Sequence, residues 1–166
     1  MSDQRSVTVT QWNAANPRDC AELTTLLTDY HLRTESEKGN PVGSVDALPE
    51  KYRFELTDPQ RTFSGDTVLV ARYEGHAAGC LVITTRGDQS LEIKRLWTDE
   101  NYRGRHIATS LLTEARNHAV RVNAEVIQLS VWKWRSNAIA LYKKVGFTDT
   151  SSWEDRDQLI CMVQTV

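Results

Sequence analysis

Long apolar runs are missing from this 166-residue chain, and no stretch approaches the roughly 20 residues needed to cross a bilayer. The opening MSDQRSVTVT lacks the apolar core of a signal peptide. Cysteine is scarce: Cys20, Cys80 and Cys161 lie far apart, with neither metal-ligand spacing nor the even count of a disulfide framework. A reducing, cytoplasmic location follows, with no metal and no membrane partner. An excess of one charge is also absent. The formal net charge of −2 argues against a general nucleic-acid binder and leaves room only for a local basic patch. No internal repeat, low-complexity tract or composition break divides the chain, so residues 1–166 read as a single domain, long enough to bury a core.

What is present is alternation and helical periodicity. Ser6 to Trp12 alternates as a strand, and Asn16-Pro17 marks a helix start followed by Ala21, Leu23, Leu26, Leu27 and Tyr30. From Arg33 to Asp66 the chain turns polar, broken by Gly39, Pro41, Gly43 and Pro59, with a short helix expected around Ala47 to Leu56. Thr67–Tyr73 and Ala77–Thr85 form a hairpin through Glu74-Gly75-His76, and Leu91–Thr98 is the next strand. Ile107, Leu111, Ala115, Ala119 and Val122 give a helix face, Val126–Trp132 a strand, and Ala138, Leu141, Tyr142 and Val145 a second helix face closed by Gly146. Leu159 to Val163 is a last strand. The order is that of an α+β fold with a sheet covered on both faces.

The stretch LEIKRLWTDENYRGRHIATSLLTEA, Leu91 to Ala115, joins a strand, a loop with Arg103, Gly104 and Arg105, and an amphipathic helix. Unpaired amides and the helix dipole at such a start attract an anionic group.

Arg103-Gly104-Arg105-His106-Ile107-Ala108 resembles the Q/R-x-x-G-x-G/A loop of the GNAT superfamily of N-acetyltransferases. The preceding EIKRLW and the later ALYKKVGF, Ala140 to Phe147, are similar to family segments in the same order. The resemblance covers the second half well and the first half by element order. It implies a mixed central sheet of about six to seven strands flanked by about four helices. It also implies acetyl-CoA as acetyl donor, with its pyrophosphate cradled by the backbone from Gly104 through Arg105, His106, Ile107 and Ala108 to Thr109. Arg103 and Arg105 add charge at the rim. His106 stands where the family has its central glycine; it either faces outward with its amide in place, or approaches a phosphate.

By the same resemblance, Leu96-Trp97-Thr98 pairs its backbone with the pantetheine arm. A family bulge in this strand leaves one N–H to polarise the thioester carbonyl, and Trp97 is the residue assigned to it. One such fixed donor is worth on the order of a few kcal/mol. Tyr142 falls where the family has a general acid for the departing thiolate; its other role is an aromatic on the helix's apolar face. Glu92 is the candidate base for the attacking amine, through water, with a chain of waters as the alternative. The family's asparagine seven residues before the tyrosine is Arg135 here, which leaves Asn137 as a candidate cofactor contact.

The segment VWKWRSNAIALYKKVG, with Trp132 and Trp134, resembles a branch that includes diamine and polyamine acetyltransferases, the amino-acid acetyltransferases being the alternative branch. The rings of the two tryptophans suit either a cationic amine or core packing. The acidic Glu35, Glu37, Asp46 and Glu50 would cover a cationic acceptor. No cysteine lies in the motifs and no Ser/His/Asp set has a nucleophile's spacing, so direct attack by a small-molecule primary amine in a ternary complex is expected. The rivals are a protein N-acetyltransferase and a non-catalytic acyl-CoA sensor. Family members are often dimers, which makes a homodimer the expected assembly.

Overall fold

The computed structural model describes residues 6–166. Met1–Arg5, on which the signal-peptide reading partly rests, lie outside the described residues. Seven strands form one mixed sheet in the order β1-β2-β3-β4-β5-β7-β6. They are β1 (Val7–Gln11), β2 (Thr67–Tyr73), β3 (His76–Arg86), β4 (Ser90–Thr98), β5 (Val126–Trp132), β6 (Thr148–Thr150) and β7 (Leu159–Thr165). Among the described residues five α-helices accompany them: α1 (Pro17–Glu37), α2 (Glu50–Thr57), α3 (Pro59–Thr62), α4 (Ile107–Arg121) and α5 (Ser136–Lys144). β4 pairs with β5 in parallel over Ser90–Glu92 against Val126–Gln128, whereas β1/β2, β5/β7 and β6/β7 are antiparallel.

The chain forms two compact units. The first comprises the described part of Met1–Val82 with Arg95–Leu111, around a core of Trp12, Leu23, Leu27, Leu56, Val70 and Trp97. The second comprises Ile83–Lys94 with Leu112–Val166, where Leu112, Ala115, Ile127, Leu129, Phe147 and Met162 are buried.

Local chemistry explains most boundaries. Asn16 caps α1 by accepting the amides of Arg18 and Asp19, and Pro17 occupies the first helical position. Glu74 and Gly75 are both at positive φ, 50° and 85°, as a two-residue turn between right-twisted strands requires. Gly146, at φ 109°, ends α5. The polar segment expected from Arg33 is shorter than its composition suggests, because α1 continues four residues past it to Glu37. Polar Thr34 and Glu35 are buried on that last turn, Thr34 Oγ1 donating to the Tyr30 carbonyl and Glu35 accepting from Lys38 Nζ at 2.7 Å. The single helix expected over Ala47–Leu56 is instead a 3-10 turn at Val45–Ala47 followed by α2 and α3, because Pro49 stands before α2 and Pro59 opens α3. Val122, assigned to the apolar face of α4, lies beyond the helix and is 50 % exposed. β6, three exposed residues without periodicity, has no counterpart among the expected strands.

Candidate functional site

β4 carries the backbone feature on which the site turns. Leu91, Glu92 and Ile93 are buried in succession, as in a strand covered on both faces. Two residues further on, Arg95 adopts φ 57°. A left-handed residue in mid-strand breaks the ladder and makes a bulge, a position usually given to glycine because a Cβ there costs about 1–2 kcal/mol.

After the bulge the strand resumes against β3. The Asp99 amide donates to the Ala78 carbonyl at 2.8 Å. The Trp97 carbonyl lies against β3 too, 2.7 Å from where a Cβ on Gly79 would stand. In a strand, the N–H and C=O of alternate residues point to one edge. The Trp97 amide therefore faces β3, and the amides of Leu96 and Thr98 face the edge of β4 away from it. The Trp97 amide, the one expected to polarise the thioester carbonyl, thus lies on the β3 side of the strand, and the Leu96 amide lies on the opposite side. The Trp97 side chain is buried in the first unit's core with its indole Nε1 unpartnered.

The side chain of Arg95 turns into the first unit and is clamped there. Its Nε and Nη2 donate to Glu55 Oε1 and Oε2 at 2.9 and 2.8 Å, a bidentate pair. His31 Nε2 lies 2.8 Å from the same Oε1. The guanidinium sits 5.7 Å from the Tyr30 ring centroid and 5.5 Å from that of Tyr52, while His31 stacks on Tyr52 at 4.5 Å and Tyr30 meets Trp97 edge-on at 6.2 Å. Burial pushes the Glu55 carboxyl up, but the hydrogen bonds and charges of Arg95 and His31 outweigh it and hold the group down at about 2. Burial lowers His31 despite Glu55, and pushes the Cys80 thiol up to about 12. None of His31, Glu55 and Arg95 stands out in the sequence as a site residue. His31 does continue the α1 stripe of Leu23 and Leu27 at i+4 and i+8, the one signal that marks it as inward-facing.

The loop after β4 leads to α4 through a 3-10 turn, Glu100–Tyr102, whose start is capped by Asp99 accepting from the Asn101 amide at 2.8 Å. Gly104 and His106 are both left-handed, at φ 77° and 61°. The position where the resemblance expects glycine thus has the backbone that favours glycine, and His106 holds it with its side chain exposed. The first backbone bond of α4 runs from Ser110 to the His106 carbonyl, so the Ile107 and Ala108 amides precede the helix's own ladder. Thr109 follows them in the same half-buried turn. No acidic residue lies in the first turn to compete for an anion. A Cβ on Gly79 would meet Ile107 Cγ2 at 2.6 Å, so glycine there lets the helix start approach the strands.

The two loop arginines differ. Arg105 is half-buried, its Nη1 donating to Tyr73 Oη at 2.9 Å and its guanidinium 4.7 Å from that ring, so it anchors the loop. Arg103 is exposed, 5.5 Å over the Trp97 ring.

In the second unit, Tyr142 is buried on α5, its ring 5.9 Å edge-on from Phe147. Asn137, the second residue of α5, is exposed. Glu92 is buried on β4 and accepts a hydrogen bond from Arg86 Nε. Trp132 and Trp134 stack at 4.8 Å with planes 11° apart, although β5 ends at Trp132, and Arg156 lies 5.4 Å over Trp132. Much of the acidity expected around the acceptor is neutralised within the first unit, where Glu35 pairs with Lys38 and Glu37 with Arg33. Asp46 and Glu50 stay exposed.

A bulged central strand that feeds a helix through an Arg/Gly loop with two left-handed residues defines the class of α+β protein to which this chain belongs. A family model described as Acetyltransferase (GNAT) family matches residues 22–147, and the chain belongs to that family of acetyltransferases. It is 34% identical over 83 residues to the IAA acetyltransferase of Azospirillum brasilense, a match spanning 49% of this chain and 54% of that protein. The chain thus aligns with about half the length of that relative. The fold is shared with the PaiA N-acetyltransferase of Thermoplasma acidophilum in complex with coenzyme A, at TM-score 0.74, 15% identity and 97% and 99% of the two chains. It is shared too with a GNAT family acetyltransferase of Elizabethkingia anophelis with acetyl-CoA bound, at TM-score 0.65, 16% identity and 97% and 99% coverage.

Proposed function

We propose that this protein transfers the acetyl group of acetyl-CoA to a primary amine of a small molecule, by direct attack in a ternary complex. β3, β4 and α4 each run from one compact unit into the other, which supports a single catalytic domain. The observation that carries the reading is the left-handed Arg95, which turns the Leu96 and Thr98 amides to the edge of β4 away from β3, at the end of the strand whose loop leads to α4.

The residues fit the donor. The Thr98 amide and the Leu96 carbonyl and amide suit the peptide-like pantetheine arm. Ile107 and Ala108 offer amides at a helix start without acidic neighbours, with Gly104, Arg105, His106 and Thr109 shaping the loop around them. Arg103 supplies exposed positive charge. Asn137 remains a candidate contact at the start of α5.

In the reaction, a bond forms from the acceptor nitrogen to the carbonyl carbon and the carbon–sulfur bond breaks. The Leu96 N–H stabilises the charge that gathers on the carbonyl oxygen. Tyr142 hydrogen-bonds the departing thiolate, full proton transfer being uphill from a phenol near pKa 10 to a thiol near 8.5. Glu92 takes the amine's proton through water, and its bond to Arg86 must be shared for that role. His106 keeps the glycine-like backbone that the loop needs, which supports catalysis over a non-catalytic sensor.

A thiol-release assay with acetyl-CoA tests this across polyamines, amino acids, aminoglycosides, peptides and the acceptor named for the Azospirillum enzyme, IAA. One small-amine class should raise turnover well above the acceptor-free rate. Tyr142→Phe should lower kcat by about 10²-fold while CoA affinity holds within about threefold. Tight CoA binding without turnover on any amine would favour a sensor, and turnover on peptides alone a protein acetyltransferase.

A further inference from the structure

We propose that Glu55 is a positioning residue for acetyl transfer, clamping Arg95 in the left-handed conformation that aims the Leu96 amide. The inference rests on the reading above, in which that amide polarises the thioester.

Arg95 is an unfavourable residue for its backbone. It has a Cβ and a long side chain at φ 57°, where glycine is the unstrained choice. Strain of this kind persists only where the surroundings over-determine it. Here they do so through the side chain. Glu55 from α2 grips the Nε/Nη2 edge of the guanidinium with both its oxygens, His31 Nε2 from α1 bonds the same Oε1 as Arg95 Nε, and the Tyr30 and Tyr52 ring centroids lie 5.7 and 5.5 Å from the cation. The arrangement is buried, Glu55 being only 5 % exposed.

The coupling to chemistry is one residue long. The carbonyl of Arg95 is held by Cys80 Sγ at 3.6 Å, and the next peptide bond carries the Leu96 amide. If Arg95 relaxes to negative φ, the bulge flattens and the parity of the strand changes. Leu96 N–H then turns toward β3, and the edge loses its donor. Glu55 touches no reacting atom in this account. It acts through Arg95, and its effect falls on the chemical step more than on cofactor affinity.

The test is Glu55→Gln in the full chain, read by CoA affinity, by kcat for the best amine, and by the infrared carbonyl band of bound acetyl-CoA labelled with ¹³C at C1. Glu55→Gln should lower kcat by about 30-fold or more and return most of the band to its solution frequency, with CoA affinity within about threefold. The double variant Arg95→Gly/Glu55→Gln should recover most of both losses, because glycine holds the left-handed backbone without a clamp. A folded Glu55→Gln with wild-type kcat and band would overturn the proposal. So would a double variant no better than the single one, since Glu55 would then act by another route. Where Glu55→Gln does not fold, Arg95→Lys serves. It keeps the charge but loses the bidentate grip, and a wild-type band in that variant refutes the clamp. An unshifted band in the wild-type protein bound to acetyl-CoA would instead refute the polarising amide itself, a separate failure.

Discussion

Two non-glycine residues, Arg95 and His106, share a left-handed backbone and almost nothing else. Arg95 sits in mid-strand, its side chain held by a buried carboxylate, a histidine and two tyrosine rings. His106 sits on an exposed loop, its carbonyl accepting from the Ser110 amide and hydroxyl at 3.0 and 2.7 Å. In the first place the side chain enforces the conformation. In the second the helix start enforces it, and the side chain is a passenger. Positive φ is therefore supported differently at the two positions, and only at Arg95 does the side chain supply the support.

The comparison can be broken by giving both positions glycine. Arg95→Gly should be the most damaging change, costing about 3 kcal/mol in denaturant unfolding, because it strips a buried carboxylate of its main partner. The strain relieved is smaller than that loss.

Acid sharpens the same contrast. The folded value of Glu55, about 2, lies below the ordinary 4.5, so the clamp's stabilisation is fully present above pH 4.5 and is lost as pH falls toward 2. The linked loss amounts to about 3 kcal/mol at the low end. Burial lowers His31, so its share is present above pH 6.5 and begins to fade below that value. Unfolding free energy measured from pH 7 to pH 2.5 should fall in both windows, and Glu55→Gln should remove the lower one.

His106→Gly should have the smallest effect and the opposite sign. Relief of left-handed strain, less the added freedom of the unfolded chain, leaves a gain of about 0.5 kcal/mol in thermal or denaturant unfolding. CoA affinity should change by less than about threefold, because the amide stays where it is. A large loss of affinity would give the imidazole a role at the phosphates.

The same pair shows where sequence reading succeeds. The loop of His106 was legible, because Arg103, Gly104 and the following periodic helix are side-chain signals of a strand–loop–helix unit. β2 and β5 fall on their expected ranges residue for residue, at Thr67–Tyr73 and Val126–Trp132. The clamp was not legible. Nothing in SLEIKRLWT marks an arginine with a glycine's backbone, and a shift of one residue in the bulge decides whether Trp97 or Leu96 presents its amide. Glu55 reads as a surface charge beside Leu56 until α2 is seen to bury it. The end of α1 was hidden for a related reason, since Thr34 and Glu35 are polar yet buried, satisfied by a carbonyl of the same helix and by Lys38 just past its end.

The most direct measurement removes one backbone N–H at a time, by replacing the amide before Leu96, and separately that before Trp97, with an ester. The Leu96 ester should lower kcat by about 10²-fold with CoA affinity nearly unchanged, while the Trp97 ester should cost stability and leave the kcat of the folded enzyme close to normal. A Leu96 ester with full kcat, or a loss confined to the Trp97 ester, would contradict the account.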